Sequence, residues 1–267
     1  MNKRLSGLLT LGFAFFFFAG YLPAQHQEEF AKTLPLSSEG SFKLSNVNGA
    51  VTISTWKEAK VEIKALKKTK KSADNLAKVK IEVRDSADAV SVETVYPRHD
   101  NTGVSVDYTI LVPEGVRLED VSSVNGGLRL TGPFSSAAAS TTNGDVHVQD
   151  ASGGLQVETT NGGIEAVNIA GPVDAETTNG GITLDLGGLK ENVRAQTTNG
   201  GITLKLGAGA EINAYLEAET TNGGIQIDVP VTLQSLEKSK RHLRGQIGTG
   251  GPRLSLETVN GSIRLTK

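Results

Sequence analysis

The residues best suited to chemistry in this sequence are asparagines, which recur in eight Asn-Gly phrases. From Asn125 to Asn179 they follow one another at steps of 18 residues, and the later steps are longer. A side-chain amide both donates and accepts hydrogen bonds, so asparagines stacked one strand spacing apart can bond along a ladder. The sequence therefore predicts a structural ladder of Asn125, Asn143, Asn161, Asn179, Asn199, Asn222 and Asn260.

The threonine that precedes the asparagine in each Thr-Thr-Asn-Gly phrase is the second candidate for chemistry. Stacking would place these threonines beside the ladder as a flat polar strip, and flat arrays of hydroxyls and amides can bind glycans or ice. Threonine also suits a β-strand for purely structural reasons, so this alternative stays open. The predicted ligand-facing strip consists of Thr142, Thr160, Thr178, Thr198 and Thr221.

Carboxylates offer a possible route to catalysis. Glu158 and Glu176 would stack on one outer face, and Glu165 or Asp185 would lie near them. Paired carboxylates can act as acid and base, so a β-helix polysaccharide lyase or hydrolase is the enzymatic alternative. A solvated strand surface explains the same residues, and the position one residue into the second strand favours that reading because its charge varies. Its occupants are Arg129, His147, Glu165, Thr183, Thr203, Gln226 and Arg264.

The residue types and spacings in the sequence do not favour metal or thiol chemistry. No two of the four histidines share a metal-ligand spacing, and the chain has no cysteine. Calcium-binding repeats place an aspartate in every turn, whereas only Asp145 follows an Asn-Gly here. The sequence predicts no catalytic, cofactor-binding or metal-binding residue. The histidines are His26, His99, His147 and His242.

Two alternating strands flank each Asn-Gly corner and must position these residues. Val173, Ala175 and Thr177 share one parity before the corner, and Ile182, Leu184 and Leu186 share the opposite parity after it. Antiparallel hairpins could use such corners, but a solenoid explains better why like residues recur. The predicted fold is all-β, a parallel β-solenoid with coils of about 18–20 residues.

The two ends of the predicted domain, residues 36–267, are less regular than its middle. The front part, 36–120, contains longer strands and a basic run, 67–71, and regular Asn-Gly repeats occupy 121–267. Residues 233–251 read as a mobile loop before a closing coil at 254–267. The basic run and the basic segment 238–244 could contact anionic envelope polymers.

The N-terminal residues and the composition restrict the expected location and partners of the protein. Residues 1–24 combine a positive start, an apolar core and a small-residue cleavage site, which predicts a signal peptide; residues 25–35 read as a linker. Export without cysteine implies stability from packing and backbone hydrogen bonds alone. Without the leader the chain carries 25 basic and 29 acidic side chains, a net charge of −4 that does not suggest nucleic-acid binding.

Several phrases together resemble the bacterial putative-adhesin domain family. They are NVNGAVTI followed by Trp56, Val112-Pro-Glu-Gly115 followed by SVNGGLRL, the TTNGGI repeats, and the ending from Gly248 to Leu265. The resemblance covers about residues 36–267 and implies a β-solenoid in the cell envelope or at the surface. The family has no established catalytic residues to carry over.

These observations predict an exported, non-catalytic β-solenoid that serves as a binding or structural module of the bacterial cell envelope or surface. A carbohydrate-active β-helix enzyme acting on envelope or extracellular glycans is the alternative. The expected partners are a glycan, a cell-wall polymer or another envelope protein. No stable membrane span is expected in the mature protein, whose location would be the periplasm, the outer surface or the extracellular space.

Overall fold

The computed structural model describes residues 25–207, 213–228 and 233–266, and the predicted signal peptide lies outside them. Within the described residues the strands form one 11-stranded sheet, sheet A, and one 12-stranded sheet, sheet B. Alternate aliphatic residues of both sheets turn toward one common core. The prediction of an all-β fold with mostly parallel strands is confirmed.

The N-terminal region, residues 25–113, contains the longest strands and one short helix. Its elements are β1 (His26–Pro35), β2 (Ser41–Ser45), β3 (Val51–Trp56), β4 (Lys60–Thr69), α1 (Asp74–Lys78), β5 (Lys80–Ser86), β6 (Ala89–Val95) and β7 (Val104–Pro113).

The middle region alternates longer strands of sheet B with shorter strands of sheet A. These are β8 (Arg117–Asn125), β9 (Leu128–Thr131), β10 (Ser136–Asn143), β11 (Val146–Gln149), β12 (Gly154–Asn161), β13 (Ile164–Val167), β14 (Val173–Asn179), β15 (Ile182–Leu186), β16 (Val193–Asn199) and β17 (Ile202–Leu206).

The C-terminal region contains two further Asn-Gly units separated by a hairpin. Its strands are β18 (Ala214–Asn222), β19 (Ile225–Asp228), β20 (Leu233–Lys238), β21 (His242–Ile247), β22 (Arg253–Asn260) and β23 (Ile263–Thr266).

Each Asn-Gly corner joins one strand of sheet B to one strand of sheet A, and we call this unit a layer. The predicted change of side-chain parity at the corner is confirmed, since Val173, Ala175 and Thr177 are buried before it, and Ile182 and Leu184 after it. Equivalent positions of adjacent layers pair in register, as Thr159 with Thr177 does. In the described residues the layers stack in the order β2/β3, β8/β9, β10/β11, β12/β13, β14/β15, β16/β17, β22/β23 and β18/β19.

The N-terminal end of the stack departs from the parallel pattern. In sheet A, β4 pairs antiparallel with both β7 and β1, and in sheet B, β5 pairs antiparallel with β6. The prediction of a linker at residues 25–35 is wrong, because β1 adds a full strand to the edge of sheet A. Its side chains Phe30 and Leu34 pack against the core and Glu28 pairs with Lys67, and the rest of its attachment is backbone pairing that residue types do not reveal.

The C-terminal end corrects two further predictions. Residues 233–251 are not simply a loop, because β20 and β21 form an antiparallel hairpin whose second strand pairs with β18. The last layer does not close the stack: β22 pairs with β16 on one side and with β18 on the other. The final strands, β22 and β23, therefore lie between the layers β16/β17 and β18/β19.

Candidate functional site

The asparagines of the corners form one continuous line of side-chain hydrogen bonds. The structure brings together the seven predicted ladder residues and adds Asn48, whose phrase lies far earlier in the chain. The Nδ2 of every ladder asparagine except Asn48 donates to the Oδ1 of the neighbouring layer at 2.8–2.9 Å. The order along the ladder is Asn48, Asn125, Asn143, Asn161, Asn179, Asn199, Asn260 and Asn222.

The glycine after each asparagine allows neighbouring layers to approach closely. A Cβ atom on Gly180 would lie 1.9 Å from the carbonyl oxygen of Gly162 in the adjacent layer. The next glycine, Gly181, is not restricted in this way, since its nearest neighbour would be an oxygen at 3.4 Å. Backbone contact between layers therefore requires glycine at the first of the two positions only.

The two threonines of each Thr-Thr-Asn-Gly phrase have different environments. The first is buried, and its Oγ1 donates to the carbonyl oxygen of a corner glycine in the adjacent layer; Thr177 donates in this way to Gly162 at 2.9 Å. The second, such as Thr178, is exposed on the outer face of sheet B. The first threonine thus has a structural hydrogen bond, and the second presents its hydroxyl to the surroundings.

The exposed threonines form a line that we call the outer threonine strip. Four predicted members, Thr142, Thr160, Thr178 and Thr198, lie in consecutive layers. The fifth, Thr221, is separated from Thr198 by Val259, because the last layer lies between theirs. Among the described residues no hydrogen bond joins the hydroxyls of the strip to another group. The strip is therefore a surface of free hydroxyls and methyl groups.

The carboxylates considered for catalysis are only partly brought together. Glu158 and Glu176 are exposed neighbours on sheet B. Glu165 and Asp185 belong to strands of sheet A, so the expectation that they lie near the first pair is wrong. His147 lies on sheet A with its Nδ1 2.9 Å from Oε2 of Glu165. Within the part of the chain that the structure describes, no group of three or more His, Cys, Asp or Glu side chains could hold a metal ion.

A groove runs along the outer face of sheet B near the starts of its strands, with a cavity volume of about 1130 Å³. One ion pair lies in it, in which Arg194 donates to the Asp174 carboxylate at 3.0 Å, and at its edge Glu119 contacts Lys43 at 3.0 Å. The hydrogen bond from Lys43 lowers the pKa of Glu119 below its ordinary value. Sequence reasoning missed this groove, because its lining residues lie outside the repeated phrase and one end of it depends on the position of the last layer. Its polar and aromatic residues include Gln156, Asp174, Asn192, Arg194, Tyr215 and Arg253.

Contacts within the protein use much of the charge of the basic run 67–71. Lys67 is buried, and its ammonium donates to the carboxylate of Glu28 at 2.8 Å and to the carbonyl of Leu76 at 3.3 Å. Lys68 forms an ion pair with Asp107. The Lys67 contacts attach β1 and α1 to the end of the stack. Lys67 and Lys68 are therefore unsuited to the polymer contact that the composition suggested, whereas Lys70 and Lys71 are exposed.

No helix in the described parts of the chain has the length and apolar character needed to cross a bilayer. No curated protein shows significant similarity to the sequence.

Several solved structures resemble the fold at low sequence identity. A putative cell adhesion protein from Clostridium sporogenes is 16% identical over 90% of this chain and 99% of its own, with a TM-score of 0.39. A putative adhesin from Bacteroides fragilis is 13% identical over 89% of this chain and 97% of its own, with a TM-score of 0.49. A putative lipid binding protein from Parabacteroides distasonis is 11% identical over 90% and 97%, with a TM-score of 0.40.

The family assignment rests on the sequence itself. The model of the family described as Toastrack DUF4097 matches residues 13–266, which is nearly the whole chain. This match confirms the family resemblance predicted from the Asn-Gly phrases and the glycine-rich ending. The chain belongs to the Toastrack DUF4097 family.

Proposed function

We propose that this protein is an exported β-solenoid, with coils of 18 to 20 residues, that acts as a non-catalytic binding module of the bacterial cell envelope or surface. The outer threonine strip contacts the ligand. The ligand is a glycan, a cell-wall polymer or another envelope protein. The signal-peptide pattern of residues 1–24 supports export to the periplasm, the outer surface or the extracellular space.

The observation that carries the proposal is the contrast between the two threonines of each phrase. The buried threonine is explained by its hydrogen bond to a glycine carbonyl of the adjacent layer, as for Thr159 with Gly144 at 3.0 Å. The exposed threonine has no such explanation, since Thr160 donates to no other group of the described residues. Its recurrence in four consecutive layers gives a regular surface of methyl groups and hydroxyls, about 4.8 Å apart.

The rigidity of the strip supports a role in binding. Each threonine of the strip precedes a ladder asparagine, and the ladder hydrogen bonds hold these corners in register. Pre-ordered groups lose little conformational entropy when a ligand binds, so many weak contacts can add up along an extended ligand. A repeating polymer fits such a surface better than a small compact molecule does.

The proposal is tested by binding of the purified protein to an array of glycans and cell-wall fragments. We expect the triple variant Thr160→Val, Thr178→Val, Thr198→Val to lose binding by about tenfold or more, because each lost hydrogen bond contributes roughly 1 kcal/mol. The exposed side chains keep their shape and strand preference, so the melting temperature should stay unchanged.

The matched control is the double variant Thr183→Val, Thr203→Val. These threonines are also neighbours in adjacent layers, but they lie on the outer face of sheet A. Binding should be retained in the control. Equal losses in both variants would contradict the proposed role of the strip, and binding to no probe would contradict a glycan or a cell-wall polymer as the ligand. Release of new reducing ends from a bound glycan would contradict its non-catalytic character.

A further inference from the structure

We propose that the end of the sheet B groove formed by Asn192, Tyr215 and Arg253 binds a carboxylated sugar unit of a glycan. This inference rests on the binding function proposed above and names the chemical class of ligand at a second place on the same face. We call these three residues the Tyr215 cluster.

The cluster exists because the last layer lies out of sequence order. Arg253 begins β22, between Asn192 beside β16 and Tyr215 on β18. The backbone N–H of Arg253 donates to Oδ1 of Asn192 at 2.8 Å, and the backbone N–H of Tyr215 donates to the carbonyl of Pro252 at 3.0 Å. Three side chains from distant parts of the chain are thereby held side by side.

Tyr215 supplies an exposed aromatic ring that is held in place by packing against Gly250. Its exposed fraction is 53%, the highest among the large hydrophobic side chains of the described residues. The ring packs closely on Gly250, where a Cβ atom would lie 2.9 Å from its Cζ and its Oη, and Gly250 has a φ of +77°. A fixed tyrosine ring offers a flat apolar face and a polar hydroxyl at little entropic cost. This combination suits a sugar ring, which has both C–H faces and hydroxyl edges.

The charges of the groove favour a ligand with few, spaced carboxylates. Asp174 and Glu119 each have a basic partner. The guanidinium of Arg253 forms no ion pair among the described residues, and Glu217 and Glu237 line the cavity beside it. A guanidinium forms paired hydrogen bonds with a carboxylate, and such charge-assisted bonds are strong. Exposed Glu176 and Glu257 lie further along the same face and would repel a dense polyanion. A sugar ring that carries one carboxylate matches both the arginine and the tyrosine.

The test compares two probes that share the same sugar rings: tetragalacturonate and its fully methyl-esterified form. Binding to the purified protein is measured by calorimetry at low salt. We expect the acid form to bind about tenfold more tightly than the ester, because one charge-assisted hydrogen-bonded pair distinguishes them. Arg253→Gln should remove this preference, Arg253→Lys should restore part of it, and Tyr215→Ala should weaken both probes.

The matched control is Arg264→Gln, which removes an exposed arginine from the opposite face of the same layer. It should change neither affinity. Equal binding of acid and ester, or a preference that survives Arg253→Gln, would overturn the inference, as would binding of neither probe. The function proposed above is judged separately by the threonine variants on the array, so the two failures are distinguishable. Melting temperatures of all variants exclude unfolding as the cause of a loss.

Discussion

The middle of the stack and its C-terminal end are built from the same phrase but are connected differently. From β8 to β17, each layer lies on the layer that precedes it in the chain. At the C-terminal end, the layers β16/β17 and β18/β19 follow one another in sequence but are separated in space by β22/β23. The hydrogen bonds of the asparagine ladder have nearly the same length in both regions. Asn179 bonds to Asn161 at 2.9 Å and Asn260 bonds to Asn199 at 2.8 Å.

The repeated phrase therefore specifies the surface that a layer presents, and it does not specify which layer packs against that surface. Thr258 donates to the carbonyl of Gly200, and Thr220 donates to that of Gly261, both at 2.8 Å. The same contact in the middle of the stack joins layers that are consecutive in sequence. The same contact thus forms whether or not the two layers are consecutive in the chain.

The exchanged order also has consequences for the outer face. It places Val259 between Thr198 and Thr221, which interrupts the outer threonine strip near its end. It also brings Arg253 beside Tyr215 in the groove. The middle of the stack thus carries the regular surface, and the C-terminal end carries the irregular one.

The largest expected effect is the formation of an engineered disulfide, which tests whether the C-terminal layers are stacked out of sequence order. Thr198 and Val259 lie on adjacent strands, about 4.8 Å apart, whereas Thr198 and Thr221 are two strands apart, about 9.6 Å. Disulfides require Cα atoms within about 7 Å. Since the chain has no cysteine, Thr198→Cys with Val259→Cys should oxidise almost completely, as judged by mass spectrometry and gel mobility.

The matched double variant is Thr198→Cys with Thr221→Cys, which should remain reduced under the same conditions. Oxidation of this pair in place of the first would show that the layers stack in sequence order. The C-terminal end would then be no different from the middle.

A smaller effect is expected from alanine at the two glycines of one corner. Gly180→Ala should destabilise the protein by about 3 kcal/mol, because its Cβ would collide with backbone rather than with a movable side chain. Gly181→Ala should be tolerated, since its Cβ has ordinary contacts. Denaturant unfolding of the two variants measures the difference. Comparable losses would mean that the layers are not in the close backbone contact described.

The smallest effect is expected when single ladder asparagines are replaced by alanine in the middle of the stack and at its C-terminal end. Asn179→Ala and Asn260→Ala should each cost about 1 kcal/mol, because both side chains take part in two ladder bonds. Asn222→Ala should cost about half as much, since Asn222 is the end of the ladder and loses only one.

The measurement is again the free energy of unfolding, determined under one set of conditions for all three variants. In a stack that followed sequence order, Asn260 would be the terminal residue and Asn222 an interior one. A larger loss at Asn222 than at Asn260 would therefore refute the observed order.

Much of each layer can be predicted from local sequence. Alternation assigns Val173 and Ala175 to the core and Asp174 to the surface, and the corner Asn179-Gly180 follows from residue type. The hairpin of β20 and β21 is harder to predict, since its segment is rich in charge. The strand β1 is harder still, because its pairing with β4 uses backbone groups that every residue has.

The groove escapes prediction for a different reason. Nothing near Arg253 in the sequence indicates Tyr215, and neither residue belongs to the repeated phrase. Their proximity depends on where the last layer is inserted, and that is a property of the whole stack.

The composition of each layer follows from the local sequence: an aliphatic interior, an asparagine at the corner, one threonine inside and one outside. These features depend on alternation and on residue type, which are local. Which layers are in contact, by contrast, is a property of the complete fold. The reason is that backbone and asparagine hydrogen bonds are the same at every interface, so local chemistry cannot rank the possible orders. The connections between layers and the covering of strand edges over the whole molecule select one.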